Sequence, residues 1–305
     1  MQQMIEKFLA VYQGRLKPST FADYRSILQC HISPKFPSFA QLNDGLEEYL
    51  ANLEISGKRK NNIISATRTF VNWGRRRRLF EGEFFEIPRF GHRRKRIKPL
   101  NLDEARLIMA YAPEPYKDFY QFSILTGVRT GEALGLRFED FNFRDGIISI
   151  ERSLTRGKIG TPKTEAGERT YPLLRPLREL FQRRQLLNEK ESPWFFFSRK
   201  GGVFSKRVLR RKWHRLLDAF EMDPRPLYAT RHTFASLAVA AGEDPLWVAA
   251  AMGHQGAQNL MMNGAEKVTR QLFLSYATYI EGVKKDGEKL MDLILGRQTL
   301  LRVAQ

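Results

Sequence analysis

Apolar residues recur at helical spacing through most of the first 88 positions. In FADYRSILQCHI, Phe21, Tyr24, Ile27, Leu28 and Ile32 fall on one face. In NNIISATRTFVNWG, Ile63, Ile64, Thr67, Phe70, Val71 and Trp73 do the same, with Gly74 as the stop. Both stretches predict helices. A composition break follows in IPRFGHRRKRIKPLNLDEARLI, where proline, glycine and clustered cations precede a fresh start signal, Asn101 with Glu104 three residues later. That pattern predicts a basic linker over 89–99 and a capped helix after it.

Beyond residue 100 two periods alternate. DGIISIERS alternates as a half-buried strand does, and IGTPKTEAGERTYPL reads as a hairpin turning at 165–168. Helical spacing returns at 174–189, 205–220, 231–241, 245–252 and 268–283. PWFFFS is too short to span a membrane and reads as a buried strand or core plug. Thr230 is placed to cap a helix whose apolar face is Phe234, Leu237, Ala238 and Ala241, with Gly242 as its stop. Asp244 and Pro245 open the next helix, which ends at Gly253 ahead of His254. The expected fold is mainly α with a small antiparallel β-sheet: a helical domain at 1–88, the linker at 89–99, and an α+β domain at 100–305 that ends in a helical tail.

Charge narrows the function. With 51 Lys and Arg against 33 Asp and Glu, the chain carries a formal +18. A surface so cationic gains affinity for polyanions by releasing their condensed counterions. Nucleic acid is the expected partner. A membrane surface would call for a basic amphipathic helix with an apolar face, whereas the cations here are spread over several segments. The helix ending at Gly74 runs into Arg75, Arg76, Arg77 and Arg78, and the linker holds Arg93, Arg94, Lys95 and Arg96. Both runs are candidate phosphate contacts, although a charge run is as readily a solvated face. Cys30 is the single cysteine, which fits a reducing cytoplasm and excludes a cysteine-based zinc site.

Taken singly, the candidate chemical groups are ambiguous. Arg129, in the glycine-flanked LTGVRTGEALGLRFEDF with Glu132 three residues on, can present its fork to an oxyanion or pair with a carboxylate. Lys163 in TPKTEAGERTYPL reads as a solvated hairpin lysine, Arg231 as a donor to carbonyls, and His254 as a helix-end cap. Tyr276 and Tyr279 in TRQLFLSYATYIEGV share a helical stripe that suits core tyrosines.

Taken together, these residues run in the order arginine, lysine, (Y)xxR, glycine-histidine, tyrosine. Through TGVRTGEALGLRFEDF, KTEAGERTYPL, ATRHTFASLAVAAG, VAAAMGHQ and SYATYI, the chain resembles the tyrosine recombinase (phage integrase) family over about 100–283. The resemblance implies a helical core-binding domain before a catalytic domain. Arg129 and Arg231 would hold the non-bridging oxygens of a scissile phosphate, His254 would add a hydrogen bond, and Lys163 would protonate the leaving 5′ oxygen. Tyr276 would attack phosphorus and form a 3′-phosphotyrosyl link, with Tyr279 as a rival nucleophile. Glu132 would orient the site without touching DNA. The resemblance implies no cofactor and no metal. It also implies double-stranded attachment sites as partners, a homo-tetramer on synapsed DNA, accessory DNA-bending proteins, and a cytoplasmic, nucleoid-associated location.

Two departures stand out. Tyr228 occupies the position where the family usually has histidine; a phenol can donate to phosphate but cannot shuttle protons near neutral pH. The interval from His254 to Tyr276 is 22 residues, longer than the family's usual spacing. An integrase of a phage or other mobile element is the leading expectation. A Xer-like resolvase of chromosome dimers is the alternative within the class, and a non-cutting DNA-binding regulator is the alternative outside it.

Overall fold

The computed structural model describes residues 1–82, 84, 86–92, 97–162 and 168–254. Lys163, Tyr276, Tyr279 and the linker run Arg93, Arg94, Lys95 and Arg96 lie outside the described residues, as does the helix expected at 268–283. The chain divides into two compact units, one from Met1 to Lys95 and the other from Arg96 onward.

The first unit is helical: α1 (Gln2–Tyr12), α2 (Pro18–Ile27) continuing through a π turn at Leu28–Ile32, α3 (Phe39–Asn52) and α4 (Gly57–Arg75). Local chemistry sets their starts. Pro18 opens α2, where its missing N–H costs nothing, and Ser38 and Ser56 accept the N–H groups of Gln41 and Arg59 at the heads of α3 and α4. Leu42, Leu46 and Leu50 form a buried stripe on α3. Phe8 meets Phe70 and Trp73 edge-on, each with ring centroids 5.5 Å apart. The expected helices at Phe21 to Ile32 and Ile63 to Trp73 are both present. At the end of this unit, the side chain of Asn61 donates to Phe90 O and accepts from Phe90 N, both at 2.9 Å.

The second unit opens with α5 (Leu102–Tyr111), headed by the expected capping box: Glu104 N donates to Asn101 Oδ1 and Asn101 N to Glu104 Oε2, both at 2.8 Å. Next come α6 (Lys117–Thr126), α7 (Thr130–Gly135), β1 (Phe141–Asn142), β2 (Ile147–Ile150), β3 (Ser153–Thr155), β4 (Lys158–Gly160) and β5 (Arg169–Pro172). Helices α8 (Arg175–Leu186), α9 (Lys206–Ala219), α10 (Ala229–Ala240) and α11 (Pro245–Ala251) complete the described part. One antiparallel sheet has the order β1-β2-β5, and β3 pairs with β4 in a separate ribbon.

That topology corrects the expected hairpin. β4 and β5 belong to different sheets: Ser153 pairs with Gly160 across the β3–β4 turn, while Ile150 of β2 pairs with Arg169. The tight turn falls at Arg156 and Gly157, both at positive φ (52° and 77°), the backbone that a two-residue hairpin requires. Arg-Gly is a weak sequence signal for it. Thr230 also departs from expectation. Tyr228 has already entered helical conformation, so Thr230 lies inside the first turn of α10 and its hydroxyl donates to Leu227 O at 2.9 Å. PWFFFS is a core plug, with Phe195 and Phe196 fully buried against Phe122 and Phe119.

The joint between α6 and α7 is tight. Gly127 ends α6 at φ +62°, and a Cβ there would run into the ring of Phe234 on α10. Gly127→Ala is therefore expected to lower stability by about 1–3 kcal/mol in denaturant unfolding, through both the positive φ and the clash.

Candidate active site

Four elements converge in the second unit. The α6–α7 joint carries Arg129 and Glu132, β5 carries Arg169, the first turn of α10 carries Tyr228 and Arg231, and the residues after α11 carry His254. Glu132 sits at the centre and is 1% exposed. Its Oε1 accepts from Arg129 Nη1 at 2.6 Å, and its Oε2 accepts from Arg129 N at 3.0 Å and Arg169 Nη2 at 3.1 Å. One carboxylate thus closes the start of α7 and holds two guanidiniums.

Those guanidiniums also fix the far end of the site. Arg129 Nη2 donates to Gly253 O at 3.0 Å, and Arg169 Nε donates to Ala251 O at 2.6 Å. Both acceptors lie at the C-terminus of α11, where helix carbonyls lack internal partners and the dipole favours cations. Gly253 (φ +65°) turns the chain there, and His254 N returns to Ala249 O. Arg231 enters from α10, 2% exposed, and donates from Nη1 to Gly127 O at 2.8 Å. Tyr228 is 41% exposed at the mouth of the same helix, its ring edge-on to His232.

The arrangement settles the charge states. Burial pushes the Glu132 carboxyl up, but Arg169 and Arg129 outweigh it and keep it ionised below its usual range. Burial lowers Arg231 to about 10, with Tyr228 opposing and Arg129 adding to the shift, so it stays a cation at neutral pH. Burial, followed by the charges of Arg231, Arg129 and Arg169, lowers His254 to about 4. His254 is therefore neutral, a hydrogen-bonding group without a charge. Within Arg129, Arg169, Arg231 and Glu132, three cations face one anion. Such a site can receive an oxyanion, with fixed donors at its edge and little reorganisation.

Of the residues singled out in the sequence, Arg129, Glu132, Tyr228, Arg231 and His254 are thus assembled in one place. Arg75 to Arg78 belong to the other unit, where all four are exposed; Arg77 stacks on Trp73 at 4.9 Å and Arg76 Nε donates to Asn72 O. Among the described residues, no group of three or more His, Cys, Asp or Glu is placed to hold a metal.

Sequence reasoning passed over two features. Arg169 was hidden inside GERTYPL, yet it and Tyr171 are the buried positions of β5, and an inward-facing arginine requires a buried acid. The other is α9, which buries Leu209, Trp213, Leu216 and Leu217 and exposes Lys206, Arg207, Arg210, Arg211 and Arg215. Plotting KRVLRRKWHRLLDA on a helix would have separated those two faces.

Comparison with known proteins gives a consistent picture. The phage integrase family model matches residues 98–262, and a model of the phage integrase N-terminal SAM-like domain matches residues 1–40. A prophage integrase, IntR of Escherichia coli (strain K12), is 32% identical over 192 residues, 54% of this chain and 47% of the relative. The chain therefore spans about half the length of that relative. The ICEBs1 integrase of Bacillus subtilis (strain 168) is 24% identical over 275 residues, 82% of this chain and 74% of the relative. Among solved structures, a Tn1549 transposon integrase in complex with a circular intermediate DNA superposes with a TM-score of 0.71 at 18% identity, covering 96% of this chain and 98% of that one. A lambda integrase dimer bound to a COC′ core site gives 0.66 at 15% identity, covering 87% and 98%. At these identities the structural likeness concerns the fold.

The His254 environment makes a pH prediction. The unfolded chain takes up a proton on this histidine near pH 6.5, whereas the folded one resists until about pH 4. The unfolded state therefore binds more protons between those values, and stability falls as pH drops through that window. Chemical unfolding at pH 7 and pH 4.5 should show wild type losing about 2 kcal/mol more than His254→Gln.

Proposed function

Because the chain belongs to the phage integrase family, we propose that it is a site-specific DNA recombinase of a phage or other mobile element, cutting and rejoining DNA through a 3′-phosphotyrosyl intermediate. The observation that carries this reading is the convergence of Arg129, Arg231 and a neutral His254 around the buried Glu132.

In this reading a scissile phosphate lies over Arg129 and Arg231. Their guanidiniums offset the charge that builds on the non-bridging oxygens as phosphorus becomes pentacoordinate. His254 donates a hydrogen bond without adding charge, and Tyr228, at the exposed mouth, donates its hydroxyl. Glu132 and Arg169 do not touch DNA; they keep Arg129 and the end of α11 in place. Tyr276 attacks phosphorus, the P–O5′ bond breaks, the phenol's proton passes to solvent water, and Lys163 supplies one to the departing 5′ oxygen. The phosphodiester becomes a phosphotyrosyl ester of similar energy, so the partner strand's 5′ hydroxyl can reverse the step. No cofactor enters this step.

The charge supports the DNA partner, and the family resemblance supports the others. Exposed cations on α9 and the Arg75–Arg78 run suit the phosphate backbone of double-stranded attachment sites. Synapsis of two such sites calls for a homo-tetramer, with accessory bending proteins where the DNA must be looped. The expected location is the cytoplasm, at the nucleoid. No helix among the described residues is long and apolar enough to cross a membrane.

The test uses the full chain and nicked duplex DNA spanning the ends of the element that encodes it. After denaturation, a DNA-linked peptide is expected at Tyr276, lost in Tyr276→Phe and retained in Tyr279→Phe, with the rate reduced about 100- to 1,000-fold in Arg231→Ala. Tight binding with no adduct would favour a non-cutting regulator instead. Separately, replacing Arg207 and Arg211 by glutamine should weaken binding to all duplexes alike and flatten the dependence of log affinity on log salt by about two phosphate contacts. A change confined to one DNA sequence would assign α9 to base reading.

A further inference from the structure

The segment that opens the second unit is bolted to the strand of chain that delivers Arg231. Arg225, 4% exposed, makes a bidentate pair with Glu104: Nη1 donates to Oε2 and Nη2 to Oε1, both at 2.8 Å. The same Nη1 donates to Pro99 O at 3.0 Å. Trp213 Nε1 on α9 donates to Arg225 O at 2.9 Å, so the backbone at this point is held as well as the side chain. On the other side of Arg231, Leu100 N donates to Thr233 Oγ1 at 2.9 Å, and that hydroxyl donates to Ala229 O. Arg231 is therefore bracketed, at 225 and at 233, by bonds to residues 99–104.

Within the stretch, Leu227 and Ala229 are buried and the hydrogen bonds are short-range. Pro226 cannot donate a backbone bond. The turn from Pro226 to Arg231 is closed by backbone bonds to Pro226 O, Leu227 O and Tyr228 O. It is a compact turn whose direction depends on what grips its ends. A bidentate arginine–carboxylate pair fixes orientation as well as distance, because its two bonds are parallel and planar. Glu104 is committed to that geometry twice over, since its Oε2 also accepts from Asn101 N.

We infer that Arg225 is a positioning residue for Arg231: its pair with Glu104 sets the entry angle of α10, and with it the placement of Arg231 against Gly127 and of Tyr228 at the mouth of the site. The catalytic consequence rests on the recombinase reading above. The geometric consequence does not. Misplacing a catalytic group by about 1 Å can cost about 100-fold in rate without altering substrate affinity.

The test compares Arg225→Ala and Glu104→Gln with wild type in three measurements on the full chain. These are single-turnover formation of DNA-linked protein on the nicked junction duplex, affinity for that duplex, and the titration midpoint of His254 by NMR, assigned with His254→Gln. Besides burial, the groups that set this midpoint are Arg231, Arg129, Arg169 and His232, so a displaced Arg231 raises it. Adduct formation is expected to fall about 10- to 100-fold with affinity within about threefold, and the midpoint to move up towards the ordinary histidine value. Lys98→Ala, which breaks the exposed 2.7 Å pair with Asp223 on the same strap, is expected to change none of the three. Wild-type rates with an unmoved His254 midpoint in a folded variant would overturn the inference, as would equal losses of rate and affinity. Should Arg225→Ala fail to fold, Glu104→Gln decides, because it keeps an acceptor for the Asn101 cap. Should wild type itself form no adduct, the recombinase reading fails and the His254 midpoint alone decides the positioning role.

Discussion

A single carboxylate in a dry space organises the second unit. Glu132 is an anion that burial alone would neutralise, and it stays ionised because Arg129 and Arg169 are fixed against it. Each partner then uses its remaining donors on the last carbonyls of α11, at Gly253 and Ala251. The start of α7, the inner face of β5 and the end of α11 are thereby tied to one point. Removing that charge would leave two guanidiniums without the anion that orients them, and the turn holding His254 would lose the frame on which it depends.

The surrounding architecture serves that point. Gly127 lets α6 stop tightly enough for Phe234 to pack over it, and its carbonyl receives Arg231. The hydroxyl of Tyr171, two residues after Arg169 on β5, donates to Leu125 O and locks the strand to α6. Arg225 and Thr233 grip α10 on either side of Arg231. The groups offered to an anion are thus held by backbone acceptors and buried pairs before any ligand arrives, which is the condition for electrostatic stabilisation of a transition state. His254 adds to this because its neighbours keep it neutral: it adds hydrogen-bonding capacity without a fourth repelling charge.

Much of this was legible in the sequence where local rules govern. The helical stripes of the first unit, the Asn101–Glu104 box, the Asp244–Pro245 start and the Gly242 and Gly253 stops are short-range signals, and the structure follows them. Motif order singles out Arg129, Glu132, Arg231 and His254, which the fold brings together, and it carries information that no single position holds. What escaped was set by long-range pairing. The choice of partner for β5 depends on β2, some twenty residues earlier, and nothing inside IGTPKTEAGERTYPL announces it. Arg169 and Arg225 are ordinary arginines in the sequence and acquire roles only because Glu132 and Glu104 arrive from other elements. Thr230 departs from its capping signal because the helix starts two residues earlier, with Tyr228 in the cap position.

The most direct test of this account is the equilibrium stability of Glu132→Gln, measured by denaturant unfolding in buffer free of phosphate and sulfate. Glutamine keeps the shape and an acceptor oxygen while removing the charge. The expected loss is about 3–5 kcal/mol, partly restored by added inorganic phosphate. A variant as stable as wild type, and indifferent to phosphate, would contradict the claim that this carboxylate holds the site together.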